Sequence, residues 1–106
     1  VGNIYNPDKW VLLKINGDKP FYKVFATWYG GYTQGDYWRF NSGITSVKVG
    51  GNYYEFYGET GSCYQVNRDS YGLSGYTSGV LNNFIERADG AIELLDKPAD
   101  LINFEW

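Results

Sequence analysis

Apolar residues along this chain follow a period of two, or gather in short runs, as far as Arg68, and take a helical spacing after it. "WVLLKI", Trp10 to Ile15, is a continuous apolar run of strand length, which reads as a strand buried in the core. Asn16-Gly17 follows, a short-range hairpin signal. "FYKVFATWY", Phe21 to Tyr29, alternates: Tyr22, Val24, Ala26 and Trp28 share a face that reads as core, while Phe21, Lys23, Phe25 and Thr27 share an amphipathic one. "DYWRF", Asp36 to Phe40, puts Trp38 and Phe40 on one face and Tyr37 and Arg39 on the other. "ITSVKV" and "NYYEFYG" flank Gly50-Gly51, which predicts a hairpin whose glycines supply positive φ at both turn centres. "SCYQV", Ser62 to Val66, is a further strand.

Beyond the polar stretch "NRDSYGLSGYTSG", Val80 and Phe84 stand four apart, as do Leu81 and Ile85. That is one apolar stripe of a helix. Thr77 or Ser78 is suited to cap it, and Gly90 to stop it. "AIELL" reads as a last strand, and the apolar tail with Leu101, Ile102, Phe104 and Trp106 is expected to dock or to meet a partner. The predicted fold is therefore mainly β with one helix: a small antiparallel barrel or sandwich of about six strands, with the helix near residues 77–88. Residues 1–106 make a single domain, because no linker or repeat divides them and a chain of this size supports about one core.

Composition sharpens that picture. Aromatic residues reach 20 % and glycines number 14, which suits short strands joined by tight turns. The net charge of -3 offers no basic field for a nucleic acid backbone, so no backbone binding is expected. The apolar runs are too short to span a membrane. Cys63 is the one cysteine, so no internal disulfide forms, and its usage leans towards a cytoplasmic protein.

Histidine is absent, which removes the usual general base, the common metal ligand and any Ser-His or Cys-His device within the chain. No metal site of the usual zinc type can be assembled from one cysteine, and no phosphate or dinucleotide loop motif is present. No cofactor is expected. A carboxylate hydrolase using Asp36, Glu55 or Glu59 is a remote reading, since nothing in their spacing brings two together. Cys63 reads as a small buried hydrophobe rather than a nucleophile. The expectation is a protein that is not an enzyme.

What remains is the aromatic cluster. Trp28 and Trp38 fall on apolar faces and are expected inside. Tyr29, Tyr32 and Tyr37 flank glycines and polar residues and are candidates for an exposed binding surface beside Arg39. The polar loop adds Arg68, Tyr71 and Tyr76 as binding candidates.

The segments "NIYNPDKWVLLKI", "YGGYTQGDYWRFNSGI" and "GSCYQVNRDSYGLSGYTSGVL" resemble small uncharacterised proteins encoded by tailed bacteriophages, over roughly residues 3 to 85. The resemblance brings no catalytic residues with it. It implies a protein of the host cytoplasm that acts by binding a host enzyme, a defence protein or a signalling nucleotide. Two binding readings follow. The first is a non-enzymatic protein directed at a host or defence protein. The alternative is a β domain that binds a small ligand, a nucleotide or a glycan. A homodimer could use the same tyrosines or the apolar tail.

Overall fold

A computed structural model describes residues 3–30 and 36–96. Among the described residues, eight strands and one helix follow in the order β1 (Ile4–Tyr5), β2 (Lys9–Ile15), β3 (Phe21–Trp28), β4 (Tyr37–Phe40), β5 (Ile44–Val49), β6 (Tyr53–Gly58), β7 (Cys63–Asn67), α1 (Gly75–Ala88) and β8 (Ile92–Leu94). They form two four-stranded sheets, ordered β1-β7-β6-β5 and β4-β3-β2-β8. The fold is mainly β with one helix, as expected, and of the two arrangements expected, barrel or sandwich, the sandwich is the one found. It has more strands than expected, because "NIY" contributes β1. That short strand pairs parallel with β7, Ile4 opposite Cys63 and Tyr5 opposite Tyr64.

The molecule has three layers: sheet, sheet, helix. Trp10, Leu12, Val24 and Ala26 of the second sheet meet Tyr54, Phe56, Tyr64 and Val66 of the first in one core. On the opposite face of the second sheet, Val11, Leu13 and Phe25 pack with Leu81 of α1. The second sheet is thus covered on both sides. That is why β2 reads as an unbroken apolar run, and why Phe25, on the face expected to be amphipathic, is fully buried. Phe84 of α1 closes this layer edge-on against Trp38 and Phe40, with ring centroids 5.2 and 5.5 Å away.

The ends of α1 differ in detail from expectation. The cap is Ser74, not Thr77 or Ser78. Its hydroxyl accepts the Thr77 N–H, and the Thr77 hydroxyl accepts the Ser74 N–H in return, a capping box. Thr77 is therefore in the first turn and fully buried. At the other end Asp89 takes the left-handed conformation with φ 48°, and Gly90 follows with φ 89°.

The β5–β6 hairpin is present, but its glycines serve another purpose. Neither Gly50 nor Gly51 has positive φ. The Gly50 N–H donates to the Tyr53 carbonyl at 2.9 Å, so the turn centres on Gly51-Asn52. A Cβ on Gly50 would lie 2.4 Å from the Tyr53 ring, so a side chain there would have to displace that ring.

The free edge of β2 is sealed by a loop. Trp10 pairs with Tyr71 in an isolated parallel bridge. The Tyr71 hydroxyl accepts the Leu12 N–H and donates to the Leu95 carbonyl, standing in for a strand partner. Among the described residues no helix is long and apolar enough to cross a membrane.

Candidate functional site

The site lies where the edge strands of the two sheets face one another, β4 on one side and β1 on the other. In β4, Trp38 and Phe40 turn to α1, so alternation sends Tyr37 and Arg39 to the sheet–sheet side. Register sets Tyr37 opposite Trp28 and Arg39 opposite Ala26. Because these residues stand at the margin of the sandwich, the opposing sheet does not cover them completely.

Tyr37 stacks on Trp28 with centroids 5.2 Å apart and planes 9° from parallel, and is still 51 % exposed. Trp28 is held from behind: its indole N–H donates to the Asn6 carbonyl at 3.0 Å, and its ring meets the edge of Tyr5 at 6.3 Å. The Arg39 guanidinium lies over the Tyr5 ring, 4.8 Å from its centroid. Tyr5 in turn leans on Tyr64, whose hydroxyl donates to the Phe40 carbonyl at 3.2 Å and ties the sheets together behind the site. Burial pushes the Tyr64 phenol up to about 12, against the pull of nearby Arg39. The result is an open cleft of about 380 Å³ lined by Ile4, Tyr5, Asn6, Trp28, Tyr37, Trp38 and Arg39. That volume is at the lower end of the range, roughly 300–1,000 Å³, used for small ligands.

A concavity of similar size, about 360 Å³, lies between α1 and the second sheet, lined by Phe21, Phe40 and Phe84 among others. It lacks the combination found at the β1–β4 cleft, a half-free stacking ring beside a guanidinium.

The binding candidates of the sequence divide between places. Tyr37 and Arg39 come together in the cleft. Tyr29 is one residue beyond Trp28 and 54 % exposed, with its N–H fixed by the Asp8 carboxylate at 2.8 Å. Tyr32 lies outside the described residues. Arg68 stacks over Tyr54, 4.9 Å from its centroid, and donates to the Gly50 carbonyl at 3.1 Å, bracing the β5–β6 turn. Tyr71 is committed to the β2 edge and to an edge-on contact with Trp10. Burial raises its phenol, opposed by the Leu12 N–H that it accepts. Tyr76 stands 60 % exposed in the first turn of α1. The tryptophans are less enclosed than expected: Trp10 is fully buried, but Trp28 is half-buried at the cleft and Trp38 is half-buried on the α1 side of the same edge.

Sequence reasoning missed Tyr5, Ile4 and Asn6. They precede a proline turn, and only the long-range pairing of β1 with β7 brings them to β4. The acids do not converge on the cleft. Glu55 is on the outer face of β6, with the buried Cys63 thiol directed at it over 3.8 Å. Asp36 immediately precedes β4 in the other sheet. Among the described residues no three His, Cys, Asp or Glu side chains gather as a metal ion would need. No family model matches the chain, and no curated protein or solved structure matches it either.

Proposed function

We propose that this protein is a non-catalytic binding domain that takes a small ring-bearing ligand, a nucleotide or a saccharide, in the β1–β4 cleft. The observation that carries the reading is the Tyr37–Trp28 stack. One ring is braced by the fold and the other is half free, and a guanidinium stands beside both. Planar bases and the apolar faces of sugars stack on such rings, and arginine adds a cation for polar substituents.

The test is a thermal-shift panel of nucleosides, nucleotides and saccharides against the protein and its Tyr37→Ala variant. A ligand present at about a hundred times its Kd stabilises the native state by about 2.7 kcal/mol. For a domain of this size that raises Tm by about 10–20 °C. The variant should melt within a few degrees of the parent without ligand and lose the rise with it. No shift across the panel at millimolar concentration, or a shift that survives Tyr37→Ala, would overturn the proposal.

Protein recognition is the second reading. It is favoured by Ile4 at the cleft rim, 68 % exposed, together with the exposed Tyr29 and Tyr37. A role against a host protein, as the resemblance to phage proteins implies, would use this rim. Tyr29→Ala should then weaken a captured complex, with Tyr76→Ala on the distant helix as the neutral control.

A further inference from the structure

We infer that the cleft continues, past Arg39 and Tyr5, into a subsite for an oxyanion such as a phosphate or carboxylate group of the same ligand. The two cavities share those two residues as a common wall. The second is an open hollow of about 290 Å³, and its polar side chains, apart from two tyrosine phenols, are Lys23, Arg39, Asn41, Ser42, Thr60 and Ser62. Two are cations, one is an amide and three are hydroxyls. Among the described residues no carboxylate lines it; Glu59 packs near Gly43 instead.

Asn41 carries the inference furthest. Its backbone N–H donates to the Val24 carbonyl at 3.1 Å, and its side-chain Oδ1 accepts the Val24 N–H at 2.8 Å. Asn41 thereby prolongs the β3–β4 ladder by one step, and the two bonds fix which way the amide faces. Its Nδ2 is left buried with no hydrogen-bond partner among the described residues, in a side chain only 3 % exposed. A buried donor left unpaired is costly to the fold. The residue lines the donor-rich hollow, and its Nδ2 lies just under the wall beside Gly58, without accessible surface of its own.

The hydroxyls above it are loosely engaged. Ser42 Oγ and Thr60 Oγ1 are 3.5 Å apart, Thr60 Oγ1 and Ser62 Oγ are 3.5 Å apart, and the Thr60 N–H reaches Ser42 Oγ at 3.3 Å. Strong O–H···O bonds are nearer 2.7–2.8 Å, so these groups keep donor capacity for a better acceptor. An oxyanion is such an acceptor, and its bonds to cationic donors are the stronger kind. The loop after β4 supplies Asn41 and Ser42, and the β6–β7 turn supplies Thr60 and Ser62. Gly58 permits their approach, since a Cβ there would meet Ser42 Oγ at 2.6 Å.

The inference deepens the cleft reading and rests on it for the ring half of the ligand, so the experiment separates the two halves. Inorganic phosphate, acetate, a neutral nucleoside and its monophosphate are titrated into isotope-labelled protein at low salt, with the Asn41 side-chain amide resonances followed by NMR. Phosphate or acetate should move them saturably, and whichever binds tighter identifies the oxyanion. The monophosphate should bind about tenfold or more tighter than the nucleoside, the gain expected of charge-assisted hydrogen bonds. Thr60→Val and Lys23→Gln should remove that gain and leave nucleoside affinity unchanged; Thr60 is exposed, so its variant keeps the test valid if Lys23→Gln fails to fold. Nucleoside binding with no added gain from the phosphate overturns the oxyanion subsite and leaves the cleft reading standing. Anion binding at Asn41 without any nucleoside or saccharide binding supports the subsite and removes the cleft reading. Silence of the Asn41 amide towards both anions overturns the inference outright.

Discussion

Truncating Leu81 to alanine tests whether α1 is an integral layer or an appended one. Leu81 is 1 % exposed and is the helical member of the cluster with Val11, Leu13 and Phe25. Removal of about three carbons costs about 0.8 kcal/mol each in transfer free energy, or roughly 2.4 kcal/mol. Incomplete collapse of the cavity brings the expected loss to about 3–4 kcal/mol. At about 4–8 °C per kcal/mol for a domain of this size, Tm should fall by about 12–30 °C. The assay is thermal and urea unfolding of a Trp38→Phe background and its Leu81→Ala variant, followed at once by far-UV circular dichroism and by the fluorescence of the remaining tryptophans, among them the buried Trp10, with the Trp38 contact to α1 removed. Both signals should shift together, since β2 and β3 carry the sheet–sheet core on one face and the helix contacts on the other. Tyr76→Ala, on the same helix but largely exposed, should stay within about 0.5 kcal/mol of the parent. A loss below about 1 kcal/mol for Leu81→Ala, or a helix signal that melts while tryptophan fluorescence holds, would refute the three-layer argument.

Gly50→Ala should destabilise the β5–β6 hairpin by about 1 kcal/mol through the clash with the Tyr53 ring, and Tyr53→Ser in the same chain should recover most of the loss in a double-mutant cycle. Equal losses with and without the Tyr53 change would mean the steric account is wrong. Ser74→Ala, which breaks the capping box, should cost about 1 kcal/mol in urea unfolding, while Ser74→Asp should retain most of it. Tyr64 has its folded-state pKa raised from 10 to about 12, chiefly by burial, so the native state holds that proton more tightly than the unfolded chain does. Its contribution is therefore complete below pH 10 and lost as pH rises through 12, so the parent should lose up to about 2–3 kcal/mol more than Tyr64→Phe between those limits, and parallel pH profiles would reject the assignment.

Much of this fold is legible once the two hydrophobic rhythms are taken together. A helix with one apolar stripe, Val80, Leu81, Phe84 and Ile85, requires an apolar surface to lie on. β2 carries apolar residues on both of its faces, and β3 adds Phe25 beside Lys23 and Thr27. Those are complementary requirements, and the helix on the second sheet satisfies them. Half of the candidate cleft is legible for the same local reason: alternation in "YWRF" sends Tyr37 and Arg39 away from Trp38 and Phe40. The other half is not local. Ile4 and Tyr5 become a strand only by borrowing hydrogen bonds from β7, nearly sixty residues along the chain, and no periodicity can exist in two residues. Tyr71 shows the converse error. Its polar neighbours suggest a solvated loop, yet the stretch of β2 that β8 does not reach needs donors and acceptors from somewhere, and this loop supplies them. Residues that finish a sheet and residues that recognise a ligand look alike in such loops, both polar and aromatic. What would separate them is whether every hydrogen-bonding group is already spent on the fold, as in the Tyr71 hydroxyl, or one is left unspent, as is the Nδ2 of Asn41 while its Oδ1 holds the ladder.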